Sequence, residues 1–284
     1  MNPLEQANQR LENAGITHPL KAKWQSLITE LSSYPSAVIA YSGGVDSSFL
    51  AYAAAQAMGG PMIAVTVFSP LEPAGLQQDV FRFVEQYGIK HDFLTHDPLQ
   101  NAKFQNNPPE RCYLCKLGIL NILWDYARNN HYAVLLEGQN ADDQHEYRPG
   151  RQAVKETGTF SPLAQNALTK AEIRWLARAL GLPIWNQPSS PCLATRIPYG
   201  MTITEERLDQ IASAENYLHQ RGFPVVRVRH LQHYASIEVE PDHLAKLLEM
   251  REDVVSYFKE IGFHHVALDL QGYRSGSMDE GLSL

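Results

Sequence analysis

The sequence predicts an α/β protein: a parallel sheet with helices on both faces, followed by a smaller α+β domain. Three observations predict it. First, the apolar run Ala37-Val38-Ile39-Ala40-Tyr41 leads through Ser42-Gly43-Gly44-Val45-Asp46-Ser47 into a small-residue helix beginning near Ser48. Second, strand-like runs alternate with helical periodicity as far as Leu136, which requires parallel crossovers and a sheet covered on both faces. Third, beyond Thr204 two strands lie next to each other across a short turn, the mark of a hairpin.

Each element has its own signal. Residues 1 to about 33 are helical by the spacing of Leu20, Trp24, Leu27, Ile28 and Leu31. The first strand is 37–41, and an Ala-rich helix over Phe49–Met58 stops at Gly59-Gly60. Strand 62–68 precedes a helix from about 74 to 87 that ends at Gly88, and His91–Thr95 is a short third strand. A loop holding Asn106-Asn107-Pro108-Pro109 opens into Arg111-Cys112-Tyr113-Leu114-Cys115-Lys116 and a helix past Tyr126. Residues 132–136 form the fourth strand. Thr169 and Glu172 make a capping box for a helix striped by Ile173, Leu176, Ala177 and Leu180. The stretch from Trp185 to Gly200 is too rich in Pro and Ser for regular structure and reads as a functional loop. The tail reads as helix 204–221, strand 225–230, strand 234–240, helix 242–260 and strand 264–270. The expected domains are therefore 1–185, a cysteine-bearing linker 186–203, and 204–284.

Composition narrows the function. The chain has 284 residues, 44% of them hydrophobic and 19% charged, with a net charge of −7. That is globular, and its acidity argues against a non-specific nucleic-acid binder. No apolar stretch reaches membrane-spanning length and the N-terminus lacks a signal-peptide core, so a cytoplasmic protein without a membrane partner is expected. Three cysteines, an odd number, do not make a disulfide framework.

The glycine turn carries the strongest chemical signal. Gly43 and Gly44 let the backbone approach a ligand, while the hydroxyls of Ser42, Ser47 and Ser48 gather at a helix N-terminus that favours an anion. It is a phosphate cradle but not a Walker A loop, because no Lys follows the glycines. After the fourth strand, Glu137-Gly138-Gln139-Asn140-Ala141-Asp142-Asp143 offers acids that suit Mg²⁺ on nucleotide phosphates; a polar turn with an Asx cap is the plainer account. Cys112, Cys115 and Cys192 admit a zinc site with His91 or His145 as a further ligand, a redox pair, three ligands of a [4Fe–4S] cluster, or simple burial. Basic neighbours Arg111, Lys116 and Arg196 favour thiolate chemistry over burial. In the tail, Arg227 and Arg229 share one strand face, and a hairpin through 231–234 sets Arg227 opposite Glu238. Glu215 falls on the apolar stripe of its helix and so needs an Arg or a metal as partner.

Taken together, these motifs resemble a known family over nearly the whole chain. The Ser-Gly-Gly-Val-Asp-Ser turn is similar to the PP-loop of ATP pyrophosphatases. Asn140-Ala141-Asp142-Asp143 with Tyr147-Arg148-Pro149-Gly150 and the segment from Ser161 to Arg174 resemble those of the LarE family, as do Cys192–Gly200 and Leu268–Ser277. These are ATP-dependent sulfur transferases of nickel-pincer nucleotide biosynthesis, the cofactor of lactate racemase. The resemblance implies that ATP adenylates a carboxylate of a pyridinium dicarboxylate mononucleotide, after which sulfur displaces AMP to give a thiocarboxylate. It implies ATP at Ala40, Ser42, Gly43, Gly44, Val45, Asp46, Ser47, Ser48, Phe68, Gly138, Asn140 and Asp142, with Mg²⁺ and with Asp46 and Cys192 catalytic. Members with three cysteines hold a [4Fe–4S] cluster, here on Cys112, Cys115 and Cys192; single-cysteine members sacrifice the sulfur at the position of Cys192. Arg196, Glu215, Arg227, Arg229 and Glu238 stand where the substrate phosphate or a second metal is bound. A homo-oligomer that works with the other proteins of the same pathway is implied. The family's Trp-Asp-Lys-Pro reads Trp185-Asn186-Gln187-Pro188 here, a loss of two charges ahead of Cys192. The nearest rival is a tRNA thiolase of the PP-loop class, which the acidic balance disfavours.

Overall fold

The computed structural model describes residues 2–73, 75–144, 150–188 and 191–274. The first elements are α1 Pro3–Asn13, α2 His18–Ser33, β1 Ala37–Ala40, α3 Val45–Ala57, β2 Met62–Phe68, α4 Leu76–Gln86 and β3 His91–Thr95. There follow α5 Ala102–Gln105, α6 Arg111–Asn129, β4 Val134–Leu136, α7 Gly150–Thr157, α8 Pro162–Gln165 and α9 Lys170–Ala179. The tail holds α10 Glu205–Gln220, β5 Val226–Leu231, β6 Tyr234–Val239, α11 Leu244–Glu249, α12 Arg251–Glu260 and β7 His265–Leu268. Among the described residues no helix is long and apolar enough to cross a membrane. The chain divides into two compact units: Met1–Ser69, Gly75–His96 and Glu110–Ser190 in the first, Pro70–Ala74, Asp97–Pro109 and Pro191–Leu284 in the second.

In the first unit the four strands are all parallel, in the order β3-β2-β1-β4. Alternate residues of β1 feed two cores: Ala37 and Ile39 pack with Trp24, Leu27, Phe49 and Leu50, while Val38 packs with Leu120, Leu123 and Leu135. A strand buried on both faces has no use for polar alternation, which is why β1 reads as a continuous apolar run. The chain winds outward from β1 through β2 to β3, then returns to lay β4 on the other flank of β1. That reversal leaves a crevice beyond the carboxyl ends of β1 and β4, where ligands of open α/β sheets bind.

The second unit holds the sheet β5-β6-β7, antiparallel between β5 and β6 and parallel between β6 and β7. Its core gathers Leu218, Phe223, Val228, Ile237, Phe258 and Phe263. Segment 97–109 packs here because Asn107, in left-handed conformation at φ 53, is buried, donating Nδ2 to the carbonyls of Ile197 (3.1 Å) and Pro198 (2.7 Å). Gly200 N and Ile203 N in turn bond the carbonyls of Asn107 and Gln105. The helix expected over 242–260 is broken at Met250, whose amide turns back to Leu247 while its carbonyl starts α12. The loop expected from Trp185 to Gly200 contains two short 3₁₀ turns, Pro183–Asn186 and Leu193–Arg196.

Candidate active site

The first unit presents the loops after β1 and β4 side by side at the crevice. Gly43 has φ 74, and a Cβ there would meet Val80 Cγ2 at 2.8 Å, so only glycine fits against α4. Gly44 leads into α3 with no side-chain cap, which leaves the first-turn N–H groups of Val45, Asp46 and Ser47 facing the crevice. The Ser42 and Ser47 hydroxyls meet at 3.0 Å, and Ser47 Oγ also accepts from Ser42 N (3.2 Å), so the two serines brace the turn. Ser48 is fully buried. Ala40 closes β1, and Phe68 closes β2 with its ring tilted against Phe81 and Phe93.

Asp46 is the charged centre. Its Oδ2 accepts from Lys170 Nζ at 2.7 Å and from Asn140 Nδ2 at 3.3 Å. Its Oδ1 is buried with no hydrogen-bond partner among the described residues. A carboxylate oxygen removed from water and left unpaired is costly, so a bound cation or donor is the natural complement.

The acids after β4 have divided roles. Asn140 Oδ1 accepts from Asp142 N, and Asn140 N donates to Asp143 Oδ2, closing the turn on itself. Asp142 Oδ2 accepts from Lys170 N at 2.8 Å, which places its carboxylate on the N-terminus of α9. Gly138 sits directly against the first turn of α3. Glu137 is buried, accepting from Lys116 Nζ (2.8 Å), Gln139 N (3.1 Å) and the Ser161 hydroxyl. Sequence reasoning misses the roles of Lys170, Lys116 and Glu137. All three lie inside the quoted motifs, but only tertiary contact reveals what they pair with.

Cys112 and Cys115 occupy the start of α6, three residues apart and therefore on one face. Cys112 is exposed and Cys115 partly so; Arg111 beside them is buried. His91, one suggested zinc ligand, instead meets the Thr66 hydroxyl at 2.9 Å among Tyr41 and Phe81. Among the described residues no three His, Cys, Asp or Glu side chains gather as a metal site would require. His145, Tyr147, Arg148, Pro149, Ser189, Ser190 and 275–277 lie outside the described residues.

In the second unit, Cys192 is partly exposed and precedes the 3₁₀ turn Leu193–Arg196. Arg196 is fully buried and forks onto Glu215, Nε to Oε1 at 2.9 Å and Nη2 to Oε2 at 3.0 Å. Glu215 thus has the Arg partner its place on the apolar stripe demanded. Glu238 stands opposite Arg227 in the β5–β6 register, as the hairpin requires, but its bidentate partner is the diagonal Arg229, at 2.8 and 2.7 Å. Arg227 lies over the Tyr273 ring, and burial, then the neighbouring Arg196 charge, pull it below the ordinary arginine range. Three buried guanidiniums against two carboxylates leave this cluster with a positive excess.

No protein-family model matches the chain. It is 38% identical to an uncharacterized protein of Synechocystis sp., over 93% of this chain and 99% of that one. It is 34% identical to pyridinium-3,5-bisthiocarboxylic acid mononucleotide synthase of Lactiplantibacillus plantarum, over 93% of this chain and 96% of that protein. A weaker likeness, 30% over 63% of this chain and 61% of the relative, links it to a glutamine-hydrolyzing GMP synthase of Thermoplasma acidophilum.

Proposed function

Because the chain belongs to the pyridinium-3,5-bisthiocarboxylic acid mononucleotide synthase (LarE) family, we propose that it is an ATP-dependent sulfurtransferase that turns carboxylates of a pyridinium dicarboxylate mononucleotide into thiocarboxylates. One observation carries this reading: the uncapped N-terminus of α3 and the unpartnered Oδ1 of Asp46 share the crevice between β1 and β4. An anion and its cation fit there together.

In the first half-reaction the substrate carboxylate oxygen attacks the α-phosphorus of ATP, and the bond to the β-phosphate breaks to release pyrophosphate. The N–H groups of Val45 to Ser47 receive phosphate oxygens, and the Lys170 ammonium, held by Asp46, offsets charge that builds on them. Asp46 Oδ1 would hold Mg²⁺, which would screen the leaving pyrophosphate. Phe68, at the carboxyl end of β2, is suited to the adenine face. In the second half-reaction a sulfur nucleophile attacks the acyl carbon, the bond to AMP breaks, and the thiocarboxylate forms. Two such rounds give the bisthiocarboxylate.

Cys192 is placed in sulfur delivery. Cys112 and Cys115, on one helix face, suit two positions of a [4Fe–4S] cluster whose third ligand would be Cys192. Such a cluster would present hydrosulfide at its open iron. No step above depends on it. Arg227, with its buried positive charge, is suited to the substrate's phosphate. The small-molecule nucleotide substrate, handed on to other proteins of cofactor synthesis by a homo-oligomer, completes the reading.

The test is pyrophosphate release by anaerobically purified protein, with and without a pyridinium dicarboxylate mononucleotide. Release that depends on the carboxylate, followed by a thiocarboxylate product, supports the proposal; no release with any carboxylate overturns it. Iron and sulfide analysis, with the mass of Cys192 after turnover, separates cluster delivery from sacrifice of the cysteine's own sulfur.

A further inference from the structure

The turn that carries Cys192 is held from behind by its own backbone carbonyls. Arg196 Nη1 donates to the carbonyls of Pro191 (2.6 Å) and Cys192 (3.0 Å) and to Thr195 Oγ1 (2.9 Å). The Thr195 hydroxyl also donates to the Cys192 carbonyl, at 2.7 Å, and so does Thr195 N, at 3.0 Å. On the other side of the same peptide, Leu193 N donates to the Leu71 carbonyl at 2.7 Å. The Thr195 carbonyl is taken by Arg229 Nη1 at 2.9 Å.

A peptide unit is planar. With its C=O and its N–H both tied, the Cys192–Leu193 plane cannot rotate, and the Cα of Cys192 is fixed with it. Arg196 is itself immobilised: Glu215 fills its Nε and Nη2 side, and Glu215 Oε1 also accepts from Val228 N at 3.0 Å. The anchor therefore runs from β5 and α10 through Glu215 and Arg196 to the peptide of Cys192. Every nitrogen of this guanidinium is spent inside the protein, and its side chain has no exposed surface. That is poor equipment for a substrate phosphate and good equipment for a brace.

We propose that Arg196 is a positioning residue for sulfur transfer: braced by Glu215, it pins the Cys192–Leu193 peptide and so aims the Cys192 thiol. The inference rests on the role given to Cys192 above and moves Arg196 and Glu215 out of substrate or metal binding. A lysine cannot replace the fork, since a single ammonium cannot face Glu215 and three loop acceptors at once.

The experiment uses the full-length chain with Arg196→Lys, and with the double variant Arg196→Met/Glu215→Leu, which leaves no buried charge unpaired should the single variant fail to fold. Amide hydrogen exchange across 192–197 should speed up by about tenfold or more in either variant. Thiocarboxylate formation should lose about tenfold more in kcat than pyrophosphate release does, with KM for the mononucleotide little changed. A raised KM with kcat intact would make Arg196 a substrate ligand instead and overturn the proposal, as would unchanged exchange. If the wild-type protein forms no thiocarboxylate, the sulfurtransferase reading fails by itself, while hydrogen exchange still decides whether the brace exists.

Discussion

A Cβ placed on Gly138 would stand 2.9 Å from the backbone nitrogen of Ser47 and 3.1 Å from its Cα. The loop leaving β4 is thus pressed onto the first turn of α3, backbone to backbone. The two loops that bound the crevice form one rigid corner, and the N–H groups meant for phosphate take their direction partly from a glycine far away in sequence.

Gly138→Ala should therefore damage nucleotide binding more than stability. The clash is with main chain, which no rotamer change relieves, so the first turn of α3 must shift. ATP affinity should fall about tenfold or more, read by calorimetric titration. Gly59→Ala is the control: nothing lies within 4 Å of its Cβ position, and ATP binding should not change. Equal behaviour of the two variants would rule out the rigid corner.

Asp46→Asn keeps the shape of the side chain but removes its charge, taking away the carboxylate that holds Lys170 and the oxygen offered to Mg²⁺. Pyrophosphate release should drop about 10²–10³-fold, the usual scale for losing a preorganised electrostatic group. Asn140→Ala should cost less, because its bond to Asp46 is the longer one at 3.3 Å. A continuous pyrophosphate assay ranks the two, and a larger loss in Asn140→Ala would contradict the assignment of Asp46.

Cys192→Ala should uncouple the two halves of the reaction. The cysteine belongs to the second unit, and the uncapped α3 N-terminus and Asp46 belong to the first. Pyrophosphate release should continue at near wild-type rate while thiocarboxylate disappears and the acyl-adenylate goes to hydrolysis. Mass spectrometry of the product checks this; thiocarboxylate from the variant would remove Cys192 from sulfur delivery.

The parts of the fold that the sequence announces are those governed by local rules. β1 is legible from an unbroken apolar run, α9 from the reciprocal cap of Thr169 and Glu172, and the phosphate turn from paired glycines. The break at Met250 carries neither Gly nor Pro, so local chemistry gives no hint of it. Asn107 is another case: a short polar loop ahead of the cysteine pair reads as a connection, yet its buried amide packs with residues ninety positions on. Within the site, glycines and thiols declare themselves by type. Lys170 does not, because an ordinary Lys in the first turn of a helix gains meaning only when Asp46 is found 2.7 Å away. The same holds for Arg229, which reaches Glu238 diagonally although Arg227 faces it in register.

His230 gives the second unit a pH dependence of definite sign. Its ring is buried beside Phe263, with Nε2 at 2.8 Å from Gln210 Oε1. Burial, and then the charges of Arg207 and His233, push its pKa down to about 4. Unfolded, the same imidazole titrates near pH ~6.5. Between those values the unfolded chain binds more protons, so stability rises with pH there. It is whole above about pH 6.5 and drains as pH falls toward 4. His230→Gln keeps a hydrogen-bonding partner for Gln210 and removes the titration. Its thermal midpoint should fall less than that of the wild type as the pH is lowered through this window. Parallel curves for the two proteins would show that His230 is not the group responsible.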